Sequence, residues 1–415
     1  MDAITALSGT ARPRHATLRL LCRVSVVGSL AIAACSQSGP DSDAGKTLVD
    51  PPPITSALSD QLESWFTAHG SPPEEYLLGL FEDHDVVILG EQHRILHDVA
   101  LVQKLIPRLP SASVSRFATE FATRRDQTMV DSLVFGEDWD EQLGRSILFR
   151  QFVAWGFREY VDILKAVWQS NAQYGSADSS IQVIAVNNTM DYSHFRSEAD
   201  WNDDEVWNRV FGDQTEADWA APILKAVHEG NKVLVHCGIH HGFTSYRQPM
   251  VENGEFIRFG RMRMGNVLHD SLGTRVVTVY LHAPWNTRQG YTPDFVHPAE
   301  GRLDAYMLSR AGGPYPVGFD VAASPLGDLP IENSVYALGY EPFTLSMFCD
   351  GWIYRKPIHE YETVHYIDGW INEDNLEEAR ARAMNPRWRT MSVGELEAGC
   401  RSYQEEFRRF YGRLR

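Results

Sequence analysis

Three histidines lie within six residues of the segment Val233–Gly242, which reads VLVHCGIHHG. His236 lies inside an apolar run, and His240 and His241 follow the glycine that ends it. Imidazoles at such a place could bind a metal, transfer protons, ligate haem iron, or be polar residues at a strand end. We predict that His240 is the main site residue and His241 a second contact. His236, packed in the strand, is an additional candidate.

Other chemically useful side chains follow similar apolar runs. Glu91 and His93 come after one run in LGEQH, and Glu120 ends another in FATEF. A carboxylate in such an apolar setting needs a partner, so Glu120 is difficult to explain as a structural residue alone. Asn187 and His282 end two further runs and are additional site candidates. These residue types are those of general acid–base chemistry.

We therefore predict a catalytic set of two carboxylates and two imidazoles, namely Glu91, His93, Glu120 and His240. Either carboxylate would be the general base on water, and the same four residues form a tentative Zn²⁺ or Mn²⁺ site. The sequence contains no GxSxG elbow, no GxxxxGK[ST] loop and no GxGxxG after the first run. The pair His93 and His97 lacks the glutamate of a zinc-protease motif and is weak evidence.

The apolar runs are typical of strands and alternate with helical patterns. Strands are predicted at 84–90, 116–121, 181–187, 232–238 and 274–282. Helices are predicted at 95–109, 138–149, 158–168 and 221–228, with Pro222 in the first turn of the last. This order predicts an α/β fold with a mostly parallel central sheet flanked by helices on both faces. Ligands of such sheets bind at the carboxyl ends of the strands, where all the site candidates lie.

The remaining segments give the domain organisation. Two helices in residues 55–82 are predicted to cap the sheet, and the α/β domain is predicted to span 55–285. Residues 286–415 form a predicted loop-rich and helical C-terminal extension that packs on the same domain. Within it we predict loops over 284–345, a possible strand at 352–354, and helices at 373–383 and 393–411.

The N-terminus has the pattern of an export signal. Arginines precede the apolar segment Val24–Ala34, and Ala34 is followed at once by Cys35, as in the lipobox of bacterial lipoproteins. We predict a signal peptide at 1–34, lipidation of Cys35 and a flexible tether at 35–54. Ser36 after the cysteine favours the outer membrane, so we expect a lipid-anchored envelope protein that faces the periplasm. The alternative is an ordinary cleaved signal.

Composition limits the partners and the redox chemistry. The formal charge is −17, and no Lys/Arg run follows the N-terminus, which argues against nucleic acid. We expect a small-molecule ligand or substrate, with membrane contact through the anchor alone. Cys237, Cys349 and Cys400 have no CxxC spacing, so they predict neither a disulfide framework nor a structural zinc site. One disulfide bond among them remains open.

The segments LGEQH, FATEF and GIH, in this order along the chain, resemble the ChaN/Tiki superfamily over residues 60–285. This group includes ChaN-type haem-uptake lipoproteins, erythromycin-esterase-like enzymes and TraB/Tiki proteins. The resemblance implies an α/β fold with its site at the strand ends. The chain departs from the esterase pattern GEATH by one residue, and it carries His241 beside GIH.

The resemblance leaves the chemistry open. In the esterase-like members the positions matching Glu91 and His93 serve water activation, and in Tiki proteins similar positions hold a divalent metal. The first hypothesis is an envelope-anchored hydrolase, motivated by the convergence of polar residues at the strand ends. The ChaN type implies instead a non-enzymatic haem or iron carrier, for which the candidate ligands are Tyr192, His194, Tyr246 and Met264. A binding or scaffold domain with a vestigial site is the third hypothesis.

Overall fold

A seven-stranded sheet organises the part of the chain that this computed structural model describes, residues 48–174, 180–252, 254–290 and 295–413. Its strands are β1 Val86–Glu91, β2 Val114–Thr123, β3 Gln182–Asn187, β4 Lys232–Gly238, β7 Val276–Leu281, β10 Val317–Asp320 and β11 Gly351–Tyr354. Two further strand pairs lie outside it, β5 Pro249–Glu252 with β6 Glu255–Phe259, and β8 Trp285–Asn286 with β9 Phe295–Val296.

The strand order is β10-β11-β7-β1-β4-β2-β3. All neighbours pair in parallel except β10 and β11, which are antiparallel. The five predicted strands are therefore confirmed, and the mostly parallel α/β fold with them. The possible strand at 352–354 is also confirmed, and it brings the C-terminal region into the sheet.

The helices pack around the sheet. They are α1 Ser56–His69, α2 Pro73–Gly79, α3 Leu96–Leu105, α4 Gln127–Val134, α5 Glu141–Gln151, α6 Arg158–Tyr174, α7 Asp204–Phe211, α8 Ala217–His228, α9 Ile239–Gly242, α10 Met264–Leu272, α11 Arg302–Ser309, α12 Leu345–Phe348, α13 Leu376–Ala381 and α14 Val393–Arg413.

Two predictions about these elements need correction. Helix α8 begins at Ala217, so Pro222 lies inside the helix and not in its first turn. The region 284–345, predicted as loops, contains α11 and β10. Both elements are short, and Pro and Gly residues around them weaken the sequence pattern.

The apolar strands are buried on both faces, as their near-continuous hydrophobic runs predict. One face packs on α3, α4, α5 and α6, and the other on α8 and α10. A third apolar cluster joins α1, α11 and β11. Together these layers bury all of β1 and β7. The polar side chains at the ends of the strands are therefore the candidates for contact with a ligand.

The predicted signal peptide and Cys35 lie outside the described residues. At the end of the predicted tether, Leu48 and Ile54 pack against the third cluster. Within the described ranges, no helix combines the length and the apolar character that crossing a membrane requires. Cys237, Cys349 and Cys400 are buried and form no disulfide with one another.

Candidate functional site

Glu91, the last residue of β1, lies at the centre of a buried hydrogen-bond network. Its Oε1 lies 2.8 Å from Nδ1 of His93, and its Oε2 lies 2.7 Å from Nε2 of His236 in the neighbouring strand β4. Burial alone would raise the pKa of Glu91, but the charges and hydrogen bonds of His236 and His93 outweigh it and lower the pKa to about 2. Glu91 is therefore a fixed anion and a poor general base.

Tyr160 of α6 also belongs to this hydrogen-bond network. Its hydroxyl donates to Oε1 of Glu91 at 2.5 Å and accepts from the backbone N–H of Arg94 at 3.0 Å. Arg94 has a positive φ of 72°, which is unusual for a residue other than glycine. This backbone conformation turns the chain just after His93, and strained backbone of this kind is common at functional sites.

Glu120 faces His93 from the next strand but one. Its Oε1 lies 3.4 Å from Nε2 of His93, and its Oε2 accepts the backbone N–H of Gly238 at 2.7 Å. The pairing of β2 with β3 is irregular between Thr119 and Thr123, so Glu120 lies where the regular ladder is interrupted. The irregularity orients a carboxylate of a buried strand toward the end of β4.

His241 approaches Glu120 from the opposite side. Its Nε2 lies 3.9 Å from Oε2 of Glu120, and its Nδ1 lies 3.0 Å from Oε2 of Glu216. Glu216 also binds Arg263, at 2.6 Å from Nη1 to Oε1, and accepts the backbone N–H of Met264. Glu120 thus lies between two imidazoles, and the other nitrogen of each imidazole lies close to a second carboxylate, Glu91 for His93 and Glu216 for His241.

The charges of the second imidazole–carboxylate pair follow from its surroundings. Burial would raise the pKa of Glu216, but His241 and Arg263 outweigh it and lower the pKa to about 2. Burial would lower the pKa of His241, but Glu216 and Glu120 outweigh it and raise the pKa above its ordinary value. His241 therefore favours the protonated form and can donate a proton or stabilise negative charge.

The two neighbouring histidines lie in different surroundings. His240 does not join Glu91, His93 and Glu120, since its Nε2 bonds to the hydroxyl of Tyr336 at 2.8 Å. The two histidines lie in the single helical turn α9, where successive side chains point about 100° apart. His241 is the one that faces the carboxylates.

The other sequence candidates fall in two places. His236 bonds to Glu91, and the side-chain amide of Asn187 donates to the backbone carbonyl of Glu120 at 2.9 Å, so both belong to the site. His282 bonds instead to Asp304 at 3.0 Å. His97 packs on Tyr361, with ring centroids 4.6 Å apart. The HxxxH spacing thus does not bring His97 to the site.

A pocket of about 520 Å³ opens beside His241. Its polar wall includes Asn187, Glu216 and Arg263. Its apolar wall is formed by Met190, Phe211, Trp219, Met262 and Val267. Trp219 stacks on His241 with ring centroids 4.5 Å apart and planes at 23°. A small organic molecule in this pocket would therefore contact His241, behind which Glu120 and His93 lie.

The tentative metal site is not formed by the predicted ligands. His240 points to Tyr336, and the oxygens of Glu91 already accept from His93, His236 and Tyr160. Among the residues that the structure describes, no group of three or more His, Cys, Asp and Glu side chains is arranged to hold a metal ion. The donor set does not fit the Zn²⁺ or Mn²⁺ site that we predicted.

The predicted haem ligands do not line the pocket beside His241. None of the four candidates, Tyr192, His194, Tyr246 and Met264, lines the pocket beside His241. Tyr246 donates to the backbone carbonyl of Tyr336, and Met264 is fully buried in the core under β4.

Sequence reasoning missed three residues of the site, namely Tyr160, Glu216 and Arg263. Tyr160 lies in an amphipathic helix, where an aromatic residue is typical of a core position. Glu216 and Arg263 flank helices far apart in the sequence and meet only through the packing of α8 against α10. No local motif marks any of them.

No protein-family model matches the sequence, and no curated protein matches it. Among solved structures, one described as a succinoglycan biosynthesis protein is 11% identical, with 75% of this chain and 100% of that chain covered and a TM-score of 0.51. A protein from Bacillus cereus is 12% identical, with 76% and 100% covered and a TM-score of 0.47. An erythromycin esterase mutant, EreC, is 11% identical, with 71% and 95% covered and a TM-score of 0.45. The chain thus shares its α/β fold with the first of these structures.

Proposed function

We propose that the chain is a hydrolase that activates water between two histidine–carboxylate pairs. The observation that carries this proposal is the position of Glu120 between Nε2 of His93 and Nε2 of His241, at 3.4 and 3.9 Å. Nδ1 of His93 bonds to the buried carboxylate of Glu91, and Nδ1 of His241 lies 3.0 Å from the partly buried carboxylate of Glu216. Such pairs fix the tautomer and orientation of an imidazole for proton transfer.

His93 is the general base in this account. Glu91 is an anion that can only accept hydrogen bonds, so Nδ1 of His93 donates to it and Nε2 is the nitrogen that would exchange a proton with water. A water held by Glu120 and Nε2 of His93 would lose its proton to His93 as it attacks. Glu120, kept in place by the N–H of Gly238, would stabilise the charge on the imidazolium.

His241 is the general acid. It lies in the wall of the pocket, and its raised pKa favours the protonated form. A carbonyl group entering the pocket would meet this cation, which can stabilise the developing oxyanion and protonate the leaving group. Ester or amide hydrolysis is the reaction class that these roles support.

The resemblance of LGEQH, FATEF and GIH supports a distant relation to the ChaN/Tiki superfamily, and within it to the hydrolytic members. The site geometry supports the hydrolase over the haem carrier because the four haem-ligand candidates do not line the pocket. We further propose that the protein works in the bacterial envelope, anchored through Cys35. Mass spectrometry of the mature N-terminus tests that part, and an unmodified Cys35 would contradict it.

The direct test is hydrolysis of a panel of 4-nitrophenyl esters and 4-nitroanilides of aliphatic and aromatic acids. We expect turnover of some members, and a loss of about 10²-fold or more in kcat/KM for His241→Asn. His240→Asn is the matched control, because its ring bonds to Tyr336 and should matter little for the chemistry. No turnover above buffer, or equal effects of the two variants, would overturn the proposal.

A further inference from the structure

The segment 362–367 of the C-terminal extension pairs with the chain that follows β1. The backbone N–H of Leu96 donates to the carbonyl of Glu362 at 2.9 Å, and the N–H of Val364 donates to the carbonyl of Arg94 at 3.2 Å. The backbone of the turn after the proposed general base is therefore fixed by a distant part of the sequence.

The same segment also pairs with the start of helix α6. The N–H of Arg158, the first residue of that helix, donates to the carbonyl of His365 at 2.9 Å. The N–H of Ile367 donates to the carbonyl of Gly156 at 2.8 Å. Helix α6 carries Tyr160, the tyrosine of the buried hydrogen-bond network. This one segment thus joins the two parts of the chain that build the network.

A closed ring of contacts runs through Arg94. Its N–H donates to the hydroxyl of Tyr160 at 3.0 Å, and that hydroxyl donates to Glu91 at 2.5 Å. Glu91 lies 2.8 Å from Nδ1 of His93, and the peptide bond from His93 to Arg94 closes the ring. Arg94 has a φ of 72°, in a region that L-residues adopt only at a cost. Other contacts must therefore stabilise Arg94 in this conformation.

An aromatic clamp holds the side chain of Arg94, which is buried. Its Cζ lies 4.2 Å from the ring centroid of Trp155 and 4.3 Å from that of Phe407 in helix α14. A guanidinium between two rings is attracted to both of them. Trp155 also packs edge-on against the imidazole of His93, with centroids 5.2 Å apart and planes at 88°. Contacts therefore run without a break from α14 to His93.

We propose that Arg94 is a positioning residue for His93. Its clamp between Trp155 and Phe407, together with the backbone pairing to 362–367, holds the turn in the conformation that orients the imidazole. Arg94 lies outside the lining of the pocket beside His241, so it acts through His93 and not on a ligand. The consequence for catalysis rests on the proposed function, whereas the position of the imidazole can be measured without it.

The test removes one ring of the clamp. We expect Phe407→Leu to change the imidazole nitrogen chemical shifts of His93, because the Nδ1 contact with Glu91 loosens when the turn moves. The His93 signals are those that disappear in His93→Asn. On the ester panel kcat should fall about tenfold to 10²-fold, and KM should stay native because Phe407 lies outside the pocket lining. Phe407→Tyr, which keeps the ring, should be native in both measurements.

A second variant and a matched control complete the design. Arg94→Lys should act in the same direction as Phe407→Leu, because an ammonium lacks the planar face that stacks between two rings. Tyr315→Leu is the control, since Tyr315 faces the guanidinium of Arg310 at 4.3 Å in another part of the molecule. It should leave both measurements native. Native His93 signals in Phe407→Leu, or equal effects of Phe407→Leu and Tyr315→Leu, would overturn the proposal.

The two measurements separate this proposal from the hydrolase. Changed His93 signals in Phe407→Leu, when the native protein hydrolyses no member of the panel, would refute the hydrolase and keep the positioning role. Hydrolysis by the native protein that Phe407→Leu leaves unaltered, with native His93 signals, would refute the positioning role and keep the hydrolase.

Discussion

Nδ1 of His93 lies 2.8 Å from Oε1 of Glu91, and this contact determines which nitrogen of the imidazole can act as a base. A Glu91 amide could donate as well as accept, so it would allow the other tautomer. We expect Glu91→Gln to lower kcat/KM by about 10²-fold or more on the ester panel. Glu362→Gln changes an exposed carboxylate near Lys356 and serves as the control. Unchanged activity of Glu91→Gln would show that the tautomer of His93 is irrelevant.

Acid should unfold the protein through Glu91 and Glu216. Each has a pKa of about 2 in the folded state against an ordinary value of 4.5. As pH falls below 4.5 the unfolded chain binds more protons, so the stability from these carboxylates is complete above pH 4.5 and lost toward pH 2. We expect the free energy of urea unfolding to fall from pH 5 to pH 3. The fall should be smaller in Glu216→Gln, and identical slopes would contradict this account.

Gly238 is predicted to be needed for space at the site. A Cβ atom there would lie 2.7 Å from Cε1 and 2.9 Å from Nε2 of His93, and 3.5 Å from Oε2 of Glu120. Gly238→Ala should therefore displace the imidazole and lower hydrolysis more than tenfold while the far-ultraviolet circular dichroism stays native. Gly394→Ala in α14, where a Cβ meets nothing within 4 Å, is the control. Full activity of Gly238→Ala would mean that His93 need not occupy this position.

The haem hypothesis gives a spectroscopic prediction. Since the candidate ligands Tyr192, His194, Tyr246 and Met264 do not line the pocket, titration of the purified protein with hemin should give no saturable Soret shift. A stoichiometric shift that is lost in Tyr192→Phe or Tyr246→Phe would favour the carrier over the hydrolase.

Much of the fold was accessible from the sequence because β1, β2, β3, β4 and β7 are apolar runs that end in polar residues. The rule that ligands gather at the carboxyl ends of parallel strands then placed Glu91, His93 and Glu120 together. β10 and β11 are four residues long, and β10 left no clear pattern.

The details of the site were less accessible from the sequence because they depend on the directions in which side chains point and on contacts between residues far apart in the chain. The four-residue helical turn α9 orients His241, and not His240, toward Glu120. The sequence GIHHG does not indicate which of the two histidines points that way. Glu216 reaches His241 only because α8 packs against α10. Tyr160 is 69 positions from Glu91 and has the sequence context of a core aromatic residue.

Glu120→Gln tests the central claim most directly. The amide keeps the size of the side chain but removes the negative charge between the two imidazoles, so its effect should be on catalysis and not on the fold. We predict that this variant keeps a native circular dichroism spectrum. Its kcat/KM on the esters that the native protein hydrolyses should fall by about 10²-fold to 10⁴-fold. Native kcat/KM in Glu120→Gln would contradict water activation between His93 and His241.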